Sequence, residues 1–271
     1  MCSLFRSLSP IIVSTVSHRF RRIPAIAGPR THPKTFPISH PPRPELYLYT
    51  RTFHRTMTIH RIDTPIPFDS NIFLLKGDRN ILVDAGTGLG SDTVIRNIRS
   101  TLNGENLDMV VLTHCHGDHV CGLPAILEEF GSKAFAYPPD SGWIRDGDRL
   151  HVLAGVMDLD VHPVPITDLS NGQVIDIGEH RLRVISTPGH TAGGICLYDE
   201  IDHDLISGDT LFAGGVGRTD LPSGSFPELR TSLRNISNID IRGLYPGHGN
   251  CSEQYGSDYV KRGLRLVGDS I

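Results

Sequence analysis

The 271-residue sequence has no apolar run long enough to cross a membrane. It has no internal repeat at a fixed short period. It has no paired Cys-x-x-Cys spacing either. Its five cysteines (Cys2, Cys115, Cys121, Cys196 and Cys251) are odd in number and scattered. That argues against a disulfide scaffold and fits a reducing compartment. The net charge of −4 gives little sign of nucleic-acid binding. The Gly-x-Ser-x-Gly elbow of serine hydrolases is absent, since Pro222-Ser223-Gly224-Ser225 does not supply it. An ordinary apolar share of 38% leaves enough material for one sizeable domain with a core.

Charge is distributed unevenly. Residues 1–57 carry nine Lys/Arg, a single acid (Glu45) and eight of the 19 prolines. This composition cannot easily bury a core and predicts a disordered leader, with the globular domain over 58–271. Two readings of the leader stand. Early arginines (Arg6, Arg19, Arg21, Arg22), many serines and almost no acid resemble a mitochondrial transit peptide, which would place the protein in the matrix. Alternatively translation starts at Met57 and the protein is cytoplasmic. A secretory signal does not fit, because Ile11–Val16 is short and broken by Ser14 and Thr15.

Beyond residue 71 short β-rich runs alternate with helical stretches. Ile72–Lys76 and Asn80–Asp84 read as a hairpin, as do Gln173–Ile177 and Leu182–Ser186. Val94, Ile95, Ile98 and Leu102 have helical spacing within Ser91–Leu102. Met109–Thr113, Gly194–Tyr198, Leu205–Ser207 and Ile241–Tyr245 read as strands; Leu123–Phe130, Pro227–Ile236 and Glu253–Val267 read as helices. The region between Phe130 and Gln173 reads as a long loop. The mixed order predicts an α+β fold (α/β by some schemes), with two sheets covered by helices.

What the sequence does have is a concentration of ligand types. Residues 113–119 read Thr-His-Cys-His-Gly-Asp-His, directly after an apolar strand. Imidazoles and carboxylates suit zinc and similar divalent ions. Four such residues so close together cannot all close around one ion, so distant partners are required. Three segments offer them at strand ends: Pro188-Gly189-His190, Gly208-Asp209-Thr210 and Pro246-Gly247-His248. Thr113, Cys115 and Cys121 are read as structural, with Cys121 starting a helix. His60, His151, His162, His180 and His203 are read as surface or loop residues.

The set H-x-H-x-D-H, PGHT, GDTLF and PGHG resembles the metallo-β-lactamase-fold hydrolases from about Ile59 to the C-terminus. The resemblance implies a four-layer αββα sandwich with two divalent metal ions, Zn2+ first, with Fe or Mn as alternatives. It implies His114, His116 and His190 on one metal, Asp118, His119 and His248 on the other, and Asp209 bridging. It makes Asp84 an outer residue that orients ligands. It also implies a metal-bridging hydroxide attacking an acyl carbonyl, with Asp118 as the catalytic group that orients it and moves a proton.

Gly208–Pro222 is most similar to glyoxalase II-like proteins, specifically the short single-domain ones, which act on acyl thioesters. Arg218 falls where longer relatives bind the thiol carrier. Their glutathione-gripping C-terminal domain has no counterpart in the 23 residues after His248. The alternative is a persulfide dioxygenase holding a single iron on His114, His190 and Asp209. Lactonase, β-lactamase and non-catalytic metal-binding readings rank lower. The expected partner is a small-molecule substrate, an acyl thioester, with no nucleic acid and no membrane; the sequence leaves the oligomeric state open.

Overall fold

A computed structural model describes residues 57–269. Of the expected leader, only Met57 lies among the described residues. None of their helices is long and apolar enough to cross a membrane.

The first sheet has six strands in chain order: β1 (Thr58–Ile62), β2 (Ile72–Lys76), β3 (Ile81–Val83), β4 (Met109–Val111), β5 (Lys133–Ala136) and β6 (Ile166–Asp168). β1, β2 and β3 pair antiparallel; β3 to β6 run parallel. Their crossovers carry helices: α1 (Ser91–Leu102), the one-turn α2 (Gly117–Val120), α3 (Leu123–Phe130), α4 (Asp140–Asp146) and the short α5 (Ala154–Met157). The second sheet has five strands, ordered β11-β10-β9-β8-β7. They are β7 (Val174–Asp176), β8 (Arg181–Ser186), β9 (Ile195–Asp199), β10 (Leu205–Gly208) and β11 (Leu244–Pro246). Helices α6 (Phe226–Ile236) and α7 (Gly256–Leu266) belong to this half.

Strand periodicity explains the layering. In β2, Ile72 and Leu74 join Val94, Ile98 and Leu102 of α1 and Leu123 and Ile126 of α3 in one core. Phe73 and Leu75, on the opposite pleat, join Leu182, Val184, Ile195, Leu197 and Ile206 between the sheets. Cys196 and Tyr198 of β9 face outward onto Leu229, Leu233, Val260 and Leu264 of α6 and α7. Helices, sheet, sheet and helices therefore stack as the expected four-layer αββα sandwich.

The long loop between Phe130 and Gln173 is corrected: it contains β5, α4, α5 and β6. These elements are short, and β5 reads only Lys-Ala-Phe-Ala. The expected strand Ile241–Tyr245 shifts to Leu244–Pro246, because Ile241 is buried beneath the helices of the second half. The last helix starts at Gly256, after Tyr255 in a left-handed conformation (φ 66°). Cys121 closes α2 instead of starting a helix, and its thiol is pushed up to about 12 by burial and the nearby Asp118 charge.

Candidate metal centre

β3, β4, β8, β10 and β11 all end at one edge of the sandwich, each delivering polar side chains there. Asp84 follows β3. His114 and His116 lie in the loop after β4. Asp118 and His119 lie on α2. His190 follows β8, Asp209 follows β10 and His248 follows β11. The Ile195 N–H donates to the Thr113 carbonyl at 2.9 Å, stitching the two sheets together at this edge. All seven expected ligands converge.

They form overlapping groups suited to a cation: His114, His116 and His190; His114, His119 and Asp209; Asp118, His119 and His248. In the first, His116 Nδ1 lies 2.9 Å from His190 Nε2. In the last, His248 Nε2 lies 3.2 Å from His119 Nε2 and 3.0 Å from Asp118 Oδ2. Asp209 stands between them, with Oδ1 3.5 Å from His119 Nε2 and Oδ2 3.5 Å from His190 Nε2. Gly247 makes this approach achievable, since a Cβ there would lie 2.2 Å from Asp209 Oδ1 and 2.8 Å from His119 Cε1.

The donor atoms pass a direct test of fit. His114 Nε2, His116 Nε2, Asp118 Oδ1 and Asp209 Oδ1 are buried without a hydrogen-bond partner. Buried polar atoms normally find partners; four orphans in one nest of nitrogens and oxygens are what a divalent cation would satisfy.

Protonation follows burial and charge. Burial, aided by repulsion from His119, His116, His190 and His248, holds His114 well below the ordinary histidine range. Burial and His190 push His116 down to about 3. Both are therefore neutral near pH 7, the form that ligates metal. His119 goes the other way: burial opposes its charge, but the Asp84, Asp118 and Asp209 carboxylates overcome that and raise it well above the usual value. Burial would raise Asp118 and Asp209, yet His119 and its neighbours hold both below the carboxylate range.

A second layer fixes the rings. Asp84 is buried; its Oδ2 lies 2.7 Å from His119 Nδ1 and 2.8 Å from the Thr113 hydroxyl, and its Oδ1 accepts the Thr113 N–H at 2.8 Å. The His190 Nδ1–H donates to the Arg218 carbonyl at 2.8 Å. The Arg218 guanidinium itself is exposed and forks onto Asp220 at 2.7 and 2.6 Å. Lys261, Arg262 and Arg265 also lie on exposed helix surface.

Sequence reasoning misplaced His180. It is buried, with Nδ1 2.7 Å from Asp199 Oδ2. Its place in a hairpin turn suggested solvent; the β9–β10 turn folds over it instead. Two buried residues, Asn71 and Asp140, were missed. Both grip the backbone of the donor loops.

A sequence model of the metallo-beta-lactamase superfamily matches residues 65–248. A probable metallo-hydrolase of Methanocaldococcus jannaschii is 32% identical over 202 residues, covering 72% of this chain and 94% of that protein. The probable metallo-hydrolase YqgX of Bacillus subtilis is 30% identical over 171 residues, covering 62% and 78%. Among solved structures, the BLEG-1 B3 metallo-beta-lactamase superposes with a TM-score of 0.64 at 25% identity, covering 74% of this chain and 96% of that one. TTHA1623, crystallised in a di-iron-bound form, superposes with a TM-score of 0.62 at 28% identity, covering 72% and 95%.

Proposed function

The chain belongs to the metallo-beta-lactamase superfamily, and from that premise we propose that it is a dinuclear metal-dependent hydrolase acting on acyl thioesters in the manner of glyoxalase II. The observation that carries the two-cation reading is the convergence of two donor groups, with four buried donor atoms left unpaired.

His114, His116 and His190 would hold one ion; Asp118, His119 and His248 would hold the other, with Asp209 between them. Zn2+ suits the donor set, and the di-iron form of the TTHA1623 structure supports iron as an alternative. When bound, such ions lower the pKa of a water into the neutral range and polarise a carbonyl. The chain supplies the rest. Asp118 Oδ2 lies 3.0 Å from His248 Nε2 and Oδ1 is buried without a partner, so one oxygen would face the second ion while the other orients a nucleophilic water and takes up its proton. Asp84 holds His119 in one orientation.

The thioester assignment rests on the segment after Asp209. Its Arg218 carbonyl anchors His190, which keeps a cationic residue beside the first donor group. The exposed guanidinium there, which forks onto Asp220 in this structure, would exchange that partner for a carboxylate or phosphate on the thiol carrier. A single-iron persulfide dioxygenase would need only His114, His190 and Asp209, leaving Asp118, His119 and His248 without a task.

The test is metal counting followed by a thioester panel. Two divalent ions per chain and hydrolysis of thioesters are expected. Asp118→Ala should fold and lose about two to four orders of magnitude in kcat. One iron per chain with oxygen uptake on persulfides would overturn the assignment.

A further inference from the structure

Two buried polar side chains take no part in the chemistry above, yet each bonds the backbone of a donor loop. Asp140, at the start of α4, is fully buried. Its Oδ2 accepts the Cys115 N–H at 2.9 Å and its Oδ1 accepts the Gly193 N–H at 2.7 Å. Cys115 lies between His114 and His116, and Gly193 is three residues beyond His190. One carboxylate thus ties together the two loops that supply the first donor group. The contact is close: a Cβ on Gly193 would stand 2.5 Å from Asp140 Oδ1. Charge-assisted bonds to backbone N–H groups are among the stronger hydrogen bonds, and burying a carboxylate is costly without them.

Asn71 does the corresponding work on the other side. It is 3% exposed. Its backbone N–H donates to the Gly247 carbonyl at 2.6 Å. Its Nδ2 donates to the carbonyls of Pro246 at 2.8 Å and Gly249 at 3.1 Å, so it grips the β11 turn on both sides of His248. The adjacent Ser70 N–H donates to the Asp118 carbonyl at 3.3 Å. This segment therefore reaches the backbone of Asp118 and of the turn that carries His248.

We propose that the two donor groups are braced separately, with Asp140 the positioning residue for the first cation and Asn71 for the second. The inference rests on the two-cation reading above. Its consequence is selective loss: disturbing one brace loosens one ion and leaves the other. Asp140→Asn keeps the shape but turns an amide NH2 toward one of the two N–H donors, so one bond is lost. Asn71→Ala removes both side-chain bonds and leaves the backbone one. Outer partners of metal ligands are typically worth about 10–100-fold in metal affinity.

The experiment is a Zn2+ titration of the metal-stripped full chain against a competing chelator, with bound metal counted. The wild type should show two steps. Asp140→Asn should weaken by about 10–100-fold the step that His190→Ala removes, and Asn71→Ala the step that His248→Ala removes. The double variant should show both losses. Either single variant weakening both steps alike, or neither, would overturn the braces. A wild type with a single step would instead sink the two-cation reading, and the braces with it. Should a variant fail to fold, amide exchange in the metal-free wild type decides. The Cys115 and Gly193 N–H groups should stay protected without metal; exchange at the rate of exposed loop amides would overturn the inference.

Discussion

Asp84→Asn is the most revealing single change, because it keeps the side chain's shape while replacing one acceptor oxygen with a donor NH2 and removing a charge. Asp84 has φ 63°, a left-handed conformation that asparagine also tolerates, so the backbone is not strained by the exchange. The native carboxylate accepts bonds from the Thr113 N–H and hydroxyl and from His119 Nδ1. An amide can keep the Thr113 N–H bond with its oxygen. Its NH2 then occupies the place of Oδ2 and faces His119 Nδ1. Two donors cannot face each other, so His119 must carry its proton on Nε2, the nitrogen that points toward Asp209 and His248. A protonated Nε2 cannot ligate. Forcing the ligating tautomer back costs a charge-assisted hydrogen bond, about 1.5–3 kcal/mol. At about 1.4 kcal/mol per tenfold this amounts to about 10–100-fold in affinity, the range typical of lost outer partners. In the metal-free protein His119 also loses the carboxylate that raises its pKa most. Chelator-competition titration with Zn2+ reads the affinity directly, and hydrolysis at saturating Zn2+ shows how much activity returns. Zn2+ binding within about twofold of wild type would refute the tautomer argument.

Other changes probe separate parts of the molecule. Gly247→Ala forces a methyl against Asp209 Oδ1 and should cost about 1–3 kcal/mol and most of the bound metal; full metal occupancy in this variant would contradict the cradle. In the metal-free protein His116 is held at about 3, so as pH falls below about 6.5 the unfolded chain binds a proton the folded one refuses, and stability is lost. His116→Gln should remove that loss: between pH 7 and pH 5 urea unfolding should show the wild type losing about 2 kcal/mol more than the variant, and equal losses would refute the buried neutral imidazole. His180→Ala, at the far end of β8 from the donor groups, leaves Asp199 without its buried partner and should cost about 1–3 kcal/mol with kcat unchanged; a fall in kcat would contradict a purely structural role. Arg218→Ala should raise KM for thioesters with an anionic carrier and leave neutral ones alone, which kinetics on matched substrates would decide.

The candidate ligands and the proposed braces differ in how far the sequence announces them. His190 and His248 each follow a strand and a Pro-Gly step, and Asp209 follows Ser-Gly at another strand end, so each carries its own local signature. Local chemistry likewise marks α1, whose Val94, Ile98 and Leu102 repeat at helical spacing because one face meets the sheet. Where burial is uniform the signal weakens. β2 and β9 are buried on both faces and read as continuous apolar runs without alternation. β1 is an edge strand whose Thr-Ile-His-Arg-Ile sequence is mostly exposed, and β5 carries two alanines, so neither stands out. His180 fails for a related reason: a turn histidine looks solvated until a second turn covers it.

Asp140 and Asn71 are harder still. Their partners are backbone groups, which every residue possesses, and those partners lie 25 residues away at Cys115 and 175 away at Pro246. No pattern of residue types encodes such a contact. A metal ligand is recognisable from its own side chain, because only a few groups can fill that place. A brace is recognisable only from where its partner ends up. The candidate donor side chains were therefore legible in the sequence alone, and the contacts of Asp140 and Asn71 became legible only with the sheets in place.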